Sequence, residues 1–162
     1  NLLRPPTAVP RLAARLPVRG WGGVALAGLF AGYVLLAGVV PPADDELYYW
    51  CWAQNPQLSY FDHPGMSAYL IRAATAAFGD TLTATRLPAC LASAVVLGVI
   101  ARLSRPAALL PWVALTPLFT FGAVLVTPDT PLLLFWALYL LWLVEVHRRV
   151  GPGRSPERER RE

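Results

Sequence analysis

Residues 21–41 form an uncharged run, rich in Gly, Ala, Val and Leu, that begins at Trp21 and meets two prolines at its end. A helix rises about 1.5 Å per residue, so about 20 residues cross a hydrocarbon core of roughly 30 Å. The run is longer than a soluble core element needs, and 56% of the 162 residues are hydrophobic. The chain is therefore predicted to be an integral membrane protein whose first spanning helix is 21–41.

Three more apolar runs follow and predict three more spanning helices. The second helix is expected at 84–103, and residues 106–146 are too long for a single crossing. The stretch from Thr127 to Pro131, with two prolines, indicates a turn within those residues. Spanning helices are therefore predicted at 107–127 and 130–146. The expected fold class is all-α, with four transmembrane helices.

The arginines predict the orientation of this bundle. They are concentrated in a leader, 1–20, and in a charged tail, 147–162, and two more lie between the second and third predicted helices. Loops rich in arginine stay on the cytoplasmic side, so both termini are expected there. The outer loop 42–83 and the turn at Asp129 then share the outer face. This pattern explains the net charge of +4 without nucleic acid, for which the chain has no motif.

The outer loop is predicted to hold two amphipathic helices that lie in the membrane interface. In the first, a carboxylate and three aromatic rings recur at helical spacing on one face: Asp45, Tyr48, Tyr49 and Trp52. The second is expected to start at Asp62 as its N-cap and to end at Gly79. Its predicted apolar stripe consists of Met66, Tyr69, Leu70, Ala73 and Ala77, with Arg72 and Thr75 facing away.

Four short blocks carry a resemblance to a known family. They read Asp-Glu-Leu-Tyr-Tyr-Trp from Asp45, Tyr-Phe-Asp-His-Pro from Tyr60, Arg-Leu-Pro-Ala from Arg86, and Thr-Pro-Asp-Thr-Pro from Thr127. In this order they resemble the N-terminal part of GT-C glycosyltransferases, and most closely the bacterial protein O-mannosyltransferase and aminoarabinose-transferase group. Each block is weak alone, and together they are fairly specific. Relatives usually have more transmembrane helices, so the resemblance leaves open whether this chain is active alone.

The resemblance implies an enzyme of the cell envelope, in the inner (plasma) membrane, with its active face periplasmic or extracellular. It would transfer a sugar from a polyprenyl-phosphate donor to a glycan, lipid or protein acceptor, with inversion. By the same resemblance, Asp45 is the general base that takes the proton of the acceptor hydroxyl. Glu46 beside it would orient the acceptor or help to hold a divalent cation.

Further site residues are expected around this acid. Arg86 and then Arg72 are the candidates to bind the leaving phosphate, because a guanidinium offers paired donors to phosphate oxygens. Asp45, Glu46 and Asp129 are the candidate ligands for Mg²⁺ or Mn²⁺. The remaining candidates for substrate binding are Tyr48, Tyr49, Trp52, Asp62 and His63.

Structural roles remain open for most of these residues. Either arginine can reach lipid headgroups, the aromatic rings can be interfacial anchors, His63 can be structural, and Asp129 can cap a helix. Two other functions also remain open. One is a non-catalytic or truncated membrane module that binds a lipid-linked glycan. The other is a transporter, which the sequence disfavours because it predicts no broken helix at mid-membrane depth.

Overall fold

The computed structural model describes residues 18–103 and 109–150, so most of the predicted leader and tail lies outside the described part. Every named element in those residues is an α-helix. In chain order they are α1 (Val18–Val39), α2 (Asp44–Gln54), α3 (Met66–Phe78), α4 (Leu82–Leu103), α5 (Leu109–Ala114), α6 (Pro117–Val124) and α7 (Asp129–Val150). The all-α prediction is therefore confirmed for the described residues.

Three of these helices are long and apolar enough to cross a membrane. Their candidate spans are Gly22–Val39 in α1, Leu82–Leu103 in α4 and Asp129–Arg149 in α7. They agree with the predicted helices at 21–41, 84–103 and 130–146 to within a few residues. The period and length of an apolar run decide such helices locally, which is why the sequence alone locates them.

Among the three long helices, α4 packs against both α1 and α7, antiparallel to the first and parallel to the second. Gly38, near the end of α1, lies so close to α4 that a Cβ there would be 3.0 Å from Oγ1 of Thr83, so α1 and α4 are antiparallel. Helices α4 and α7 are parallel, because Arg102 and Glu145 pair near their carboxyl ends at 3.7 Å. Helices α2 and α3 therefore lie at the end of the bundle where α4 and α7 begin, which we name the α2–α3 end.

The predicted single helix at 107–127 is not confirmed. The structure has the short helices α5 and α6 instead, separated at Leu115 and Thr116. Pro117 opens α6 and cannot donate the backbone hydrogen bond of a continuous helix, while the Thr116 side chain caps α6 by accepting from the N–H of Phe119. Because α4 and α7 run parallel, this broken segment returns the chain to the α2–α3 end.

Hydroxyl groups satisfy the carbonyls that the break leaves free. The hydroxyl of Tyr33, on α1, donates to the carbonyl of Ala114 at 2.8 Å, and Thr120 donates to the same oxygen at 3.1 Å. Such bonds allow an interrupted helix inside an apolar bundle. The sequence predicts no broken helix at mid-membrane depth, and the structure has a broken helix between α5 and α6. At the break, the carbonyl of Ala114 thus has its hydrogen-bond donors, and the two residues between the helices, Leu115 and Thr116, are uncharged.

Replacing the hydroxyl at this break should weaken the bundle. We expect Tyr33→Phe to lower the free energy of unfolding by about 1 kcal/mol, because one buried hydrogen bond is lost while Thr120 still serves the carbonyl. Unfolding in detergent micelles measures the change. As a control, Tyr139→Phe also removes a tyrosine hydroxyl, but from an exposed position on α7, and it should leave stability unchanged. Equal stability of both variants would show that the Tyr33 bond contributes nothing.

The second loop helix differs from its prediction at one end. It begins at Met66 with Gly65 as N-cap, so Asp62 is not the N-cap; it ends, as predicted, before Gly79, whose φ of 86° suits glycine. Its buried residues are Ser67, Ala68 and Ile71. The predicted apolar stripe is mostly exposed, with Met66 43% and Tyr69 38% accessible, because α3 packs on α2 and α4 through the face that carries these buried residues.

Candidate active site at the α2–α3 end

A buried ion pair joins four segments of the chain at this end. Arg86 of α4 is 0% exposed and Glu46 of α2 is 2% exposed, and their charged groups are in direct contact. The two η nitrogens of Arg86 also donate to the carbonyls of Ala37, Val40 and Pro41 at 2.7 to 2.9 Å. These carbonyls lie at the C-terminal end of α1, where the last backbone oxygens of a helix lack partners within the helix. Arg86 therefore supplies their hydrogen bonds.

Every N–H of Arg86 is used within the protein. The ε nitrogen donates to Oε1 of Glu46 at 2.9 Å, and the five donors of the guanidinium match the five contacts in number. Arg86 was predicted as the first partner of the leaving phosphate. The structure instead places it in the core, with no donor free for a ligand.

Both carboxylate oxygens of Glu46 are likewise used in hydrogen bonds within the protein. Besides two bonds from Arg86, its carboxylate accepts from the backbone N–H of Ala43 at 3.1 Å and of Val126 at 3.2 Å. The first bond helps to start α2, and the second ties α2 to the segment before α7. Glu46 therefore positions α2 and the Asp129 turn, and its geometry does not support the predicted direct role in catalysis or metal binding.

Three exposed carboxylates approach one buried phenol. Asp45 lies beside Glu46 in the first turn of α2, Asp129 begins α7, and Asp62 lies in the loop before α3. Tyr49 is only 5% exposed; burial raises its pKa, and the negative charges of Asp45, Asp129 and Asp62 raise the pKa further. Asp45 and Asp129, which are far apart in sequence, thus both lie close enough to Tyr49 for their charges to act on its phenol.

Aromatic rings form the wall beside these acids. Trp52 stacks on Tyr60 at 4.2 Å between centroids and contacts Tyr48 at 4.5 Å, and the ring of His63 lies 6.1 Å from that of Tyr49. Tyr48 donates to Asp62 at 2.9 Å, a bond that raises the pKa of Tyr48 and keeps it protonated. The predicted aromatic candidates, Asp62 and His63 therefore lie together.

Arg72 lies apart from the acids. Its Nη1 donates to the carbonyl of Ala53 at 3.1 Å, at the C-terminal end of α2, where a positive charge complements the helix dipole. Asp45 lies at the opposite end of the same helix. Arg72 thus joins α3 to α2, and it remains exposed.

The three candidate metal ligands do not together fit a divalent cation. Within 18–103 and 109–150, no three His, Cys, Asp or Glu side chains are grouped so as to hold a metal ion. The physical reason is Glu46, whose oxygens already accept four hydrogen bonds, so that only Asp45 and Asp129 of the predicted set have free oxygens.

An apolar groove opens beside Asp129. Its cavity of about 490 Å³ lies between α4, α6 and α7, and Asp129, Thr127 and Thr130 line its polar end. The other lining residues are Ala92, Ser93, Val96, Leu118, Phe119, Phe121, Gly122, Leu125 and Leu133. We call Asp45, Asp62 and Asp129 the carboxylate cluster, and Asp129 is its one member that lines the groove.

Sequence reasoning missed several residues that build this site. Tyr60 donates to the carbonyl of Trp52 at 2.9 Å and so supports the C-terminal end of α2, and Ser67 donates to the carbonyl of Thr127 at 3.2 Å. Tyr60 belongs to one of the four blocks that carry the family resemblance, but that resemblance indicates no role for it. The partners are 8 and 60 residues away, and no local pattern signals such contacts.

Comparison with known proteins gives one match. Residues 62–152, more than half of the chain, match the model of the family described as dolichyl-phosphate-mannose-protein mannosyltransferase. The match contains Asp62, His63, Arg86 and Asp129 and begins after α2, so it does not include Asp45. No curated protein and no solved structure matches the chain significantly.

Proposed function

The chain belongs to the dolichyl-phosphate-mannose-protein mannosyltransferase family, and on that basis we propose that it transfers a sugar from a polyprenyl-phosphate donor to an acceptor hydroxyl. The family is one of membrane glycosyltransferases of the GT-C type, so a sugar donor and an acceptor follow from membership. The identity of the donor, the acceptor and the catalytic residues is our proposal. The acceptor is a glycan, lipid or protein at the outer face of the inner membrane.

The observation that carries this proposal is that the charges of Asp45 and Asp129 both act on the buried phenol of Tyr49, and that Asp129 also lines an apolar groove. A transferase with a lipid-linked donor needs a carboxylate base and an adjoining channel for the lipid. Asp45 is exposed, and it directly precedes Glu46, which binds Arg86 in the core. The base is thus accessible while its helix is fixed.

In the proposed step, Asp45 accepts the proton of the acceptor hydroxyl as the oxygen attacks the anomeric carbon. The bond from that carbon to the phosphate oxygen breaks, and the phosphate leaves with the electron pair, so the configuration inverts. A positioned base of this kind contributes about 10² to 10⁴ in rate. Tyr49, with its raised pKa, stays protonated and offers a hydrogen bond within the cluster.

The leaving phosphate requires a hydrogen-bond donor near the acids. Arg86 has none free and Arg72 lies at the other end of α2. Among the described residues near the cluster, His63 has an exposed imidazole beside Tyr49 and Trp52, and we assign the phosphate contact to it. Trp52 and Tyr48 form the wall against which the sugar lies.

Transfer of radiolabelled sugar tests the proposal. Membranes that contain the chain are supplied with polyprenyl-phosphate sugars, and label in the glycan, lipid and protein fractions is counted. Incorporation above that of membranes without the chain is the expected result. Properly inserted protein that gives no incorporation from any donor would contradict the transferase assignment, and retention of lipid-linked glycan on such protein would identify a binding module.

Filling the groove should weaken use of the donor. The position of Gly122 has open space around it, so Gly122→Leu occupies the groove without a backbone clash. We expect the KM for a long-chain donor to rise about tenfold, since roughly 1.4 kcal/mol of apolar contact is blocked. Gly32→Leu, on the exposed side of α1, also has open space and should leave the KM unchanged. Equal KM values for both variants would remove the lipid chain from this groove.

A further inference from the structure

Helix α2 has a second cavity on another face. One face of α2 carries Tyr49, Trp52 and Asp45, which is a member of the carboxylate cluster. The other face carries Glu46, Leu47 and Trp50, which line a cavity of about 310 Å³ against the start of α4. At 100° per residue these two sets occupy different sides of the helix. The remaining lining residues are Pro42, Asp80, Thr81, Leu82 and Thr85.

The polar groups around this cavity have mostly found partners. The indole N–H of Trp50 donates to Oδ1 of Asp80 at 2.8 Å, and the hydroxyl of Thr85 donates to the carbonyl of Thr81 at 3.1 Å. Oγ1 of Thr81 accepts from the N–H of Ala84 at 3.1 Å, and Glu46 is saturated. Asp80 is exposed, and its carboxylate has capacity to accept further hydrogen bonds.

Asp80 makes no ion pair with any residue of 18–103 or 109–150, and its Oδ2 has no donor there. A carboxylate can only accept hydrogen bonds. The walls next to it are apolar: Pro42, Leu47 and Leu82, with the ring of Trp50. A ligand that complements this cavity is therefore a donor with a positive charge and an apolar body.

The depth of the cavity selects the source of that ligand. Pro42 follows the span that ends at Val39, and Leu82 is the first residue of the span in α4. The cavity thus lies where two spanning helices leave the hydrocarbon core, at the level of the lipid headgroups. Tryptophan is favoured at this level, and its ring attracts cations.

From these observations we propose that this cavity binds the ammonium headgroup of a membrane phospholipid. Asp80 is the counter-ion of the ammonium group, Trp50 holds the carboxylate and offers its ring to the cation, and the apolar walls contact the glycerol region. The site is separate from the carboxylate cluster and takes no part in sugar transfer.

Lipid competition in detergent tests the site. The purified chain is titrated with dioleoyl phosphatidylethanolamine or dioleoyl phosphatidylglycerol, which share their acyl chains, and bound lipid is counted by native mass spectrometry. We expect about tenfold tighter binding of the ethanolamine lipid, as one charge-assisted hydrogen bond provides. Asp80→Asn should reduce this ratio to about one, and Trp50→Phe should lower it.

Asp44→Asn is the matched control, because it removes an equally exposed acid of α2 that does not line the cavity, and it should keep the ratio. Equal binding of both lipids to the unmodified chain, or a ratio that survives Asp80→Asn, would overturn the proposal. Displacement of the lipid by millimolar free ethanolamine would overturn the lipid as the source of the ammonium group. The assay measures binding alone, so it is independent of any transferase activity.

Discussion

Asp45→Asn should reduce sugar transfer by about 10² to 10⁴ and leave membrane insertion unchanged. The amide has nearly the same shape as the carboxylate but cannot take a proton, so the loss reflects general-base catalysis. Asp45 is exposed and α2 is held by Glu46, so the fold should tolerate the change. The measurement is the initial rate of label transfer at saturating donor, compared with the unmodified chain at equal amounts in the membrane.

Asp44→Asn provides the control for charge and position. Asp44 is the preceding residue in the same turn of α2, is also exposed, and faces away from Tyr49. Its substitution should change the rate by less than about threefold, because only a distant charge is lost. Full activity in Asp45→Asn would remove Asp45 from the mechanism, and equal losses in both variants would indicate a general effect of negative charge.

Arg86→Leu should lower the free energy of unfolding by about 3 to 5 kcal/mol. The substitution leaves Glu46 charged and buried without its partner and frees three carbonyls at the end of α1. Breaking one side of a buried pair has a cost of this size because the remaining charge is not solvated. Unfolding of the chain in detergent, followed by circular dichroism, measures the difference.

Two further variants test this explanation. Arg102→Leu removes an arginine that is 60% exposed in its pair with Glu145, and it should cost less than about 1 kcal/mol. Arg86→Leu combined with Glu46→Leu removes both buried charges and should recover part of the loss. A double variant that is no more stable than Arg86→Leu alone would show that the uncompensated charge does not account for the effect.

The long helices show what can be predicted from local pattern. Each of α1, α4 and α7 is an apolar run whose length matches a bilayer, and α2 carries an acid and aromatic rings at helical spacing. These properties belong to neighbouring residues, so no knowledge of the packing is needed. The break between α5 and α6 was missed because hydrophobicity is continuous across it, while Tyr33 of α1 supplies the hydrogen bond that makes it acceptable.

The site was predicted in part for a similar reason. Resemblance of short blocks led to Asp45, Asp129 and the aromatic residues, and the structure groups them around Tyr49. The same blocks suggested that Glu46 and Arg86 touch substrate. A charged residue can have the same type and the same place in the sequence whether it is catalytic or structural, so only its partners in the fold distinguish the two roles. Here the partners, Glu46 and Arg86, lie 40 residues apart.

Membrane residence and helical class thus follow from the sequence, because apolar length and helical period are local quantities. The tertiary structure decides which charges are buried. Arg86 and Glu46 satisfy one another and the ends of neighbouring segments, whereas Asp45, Asp129 and Asp80 keep free oxygens. The physical reason is that the burial of a charge depends on contacts between distant segments, and these exist only once the helices have packed.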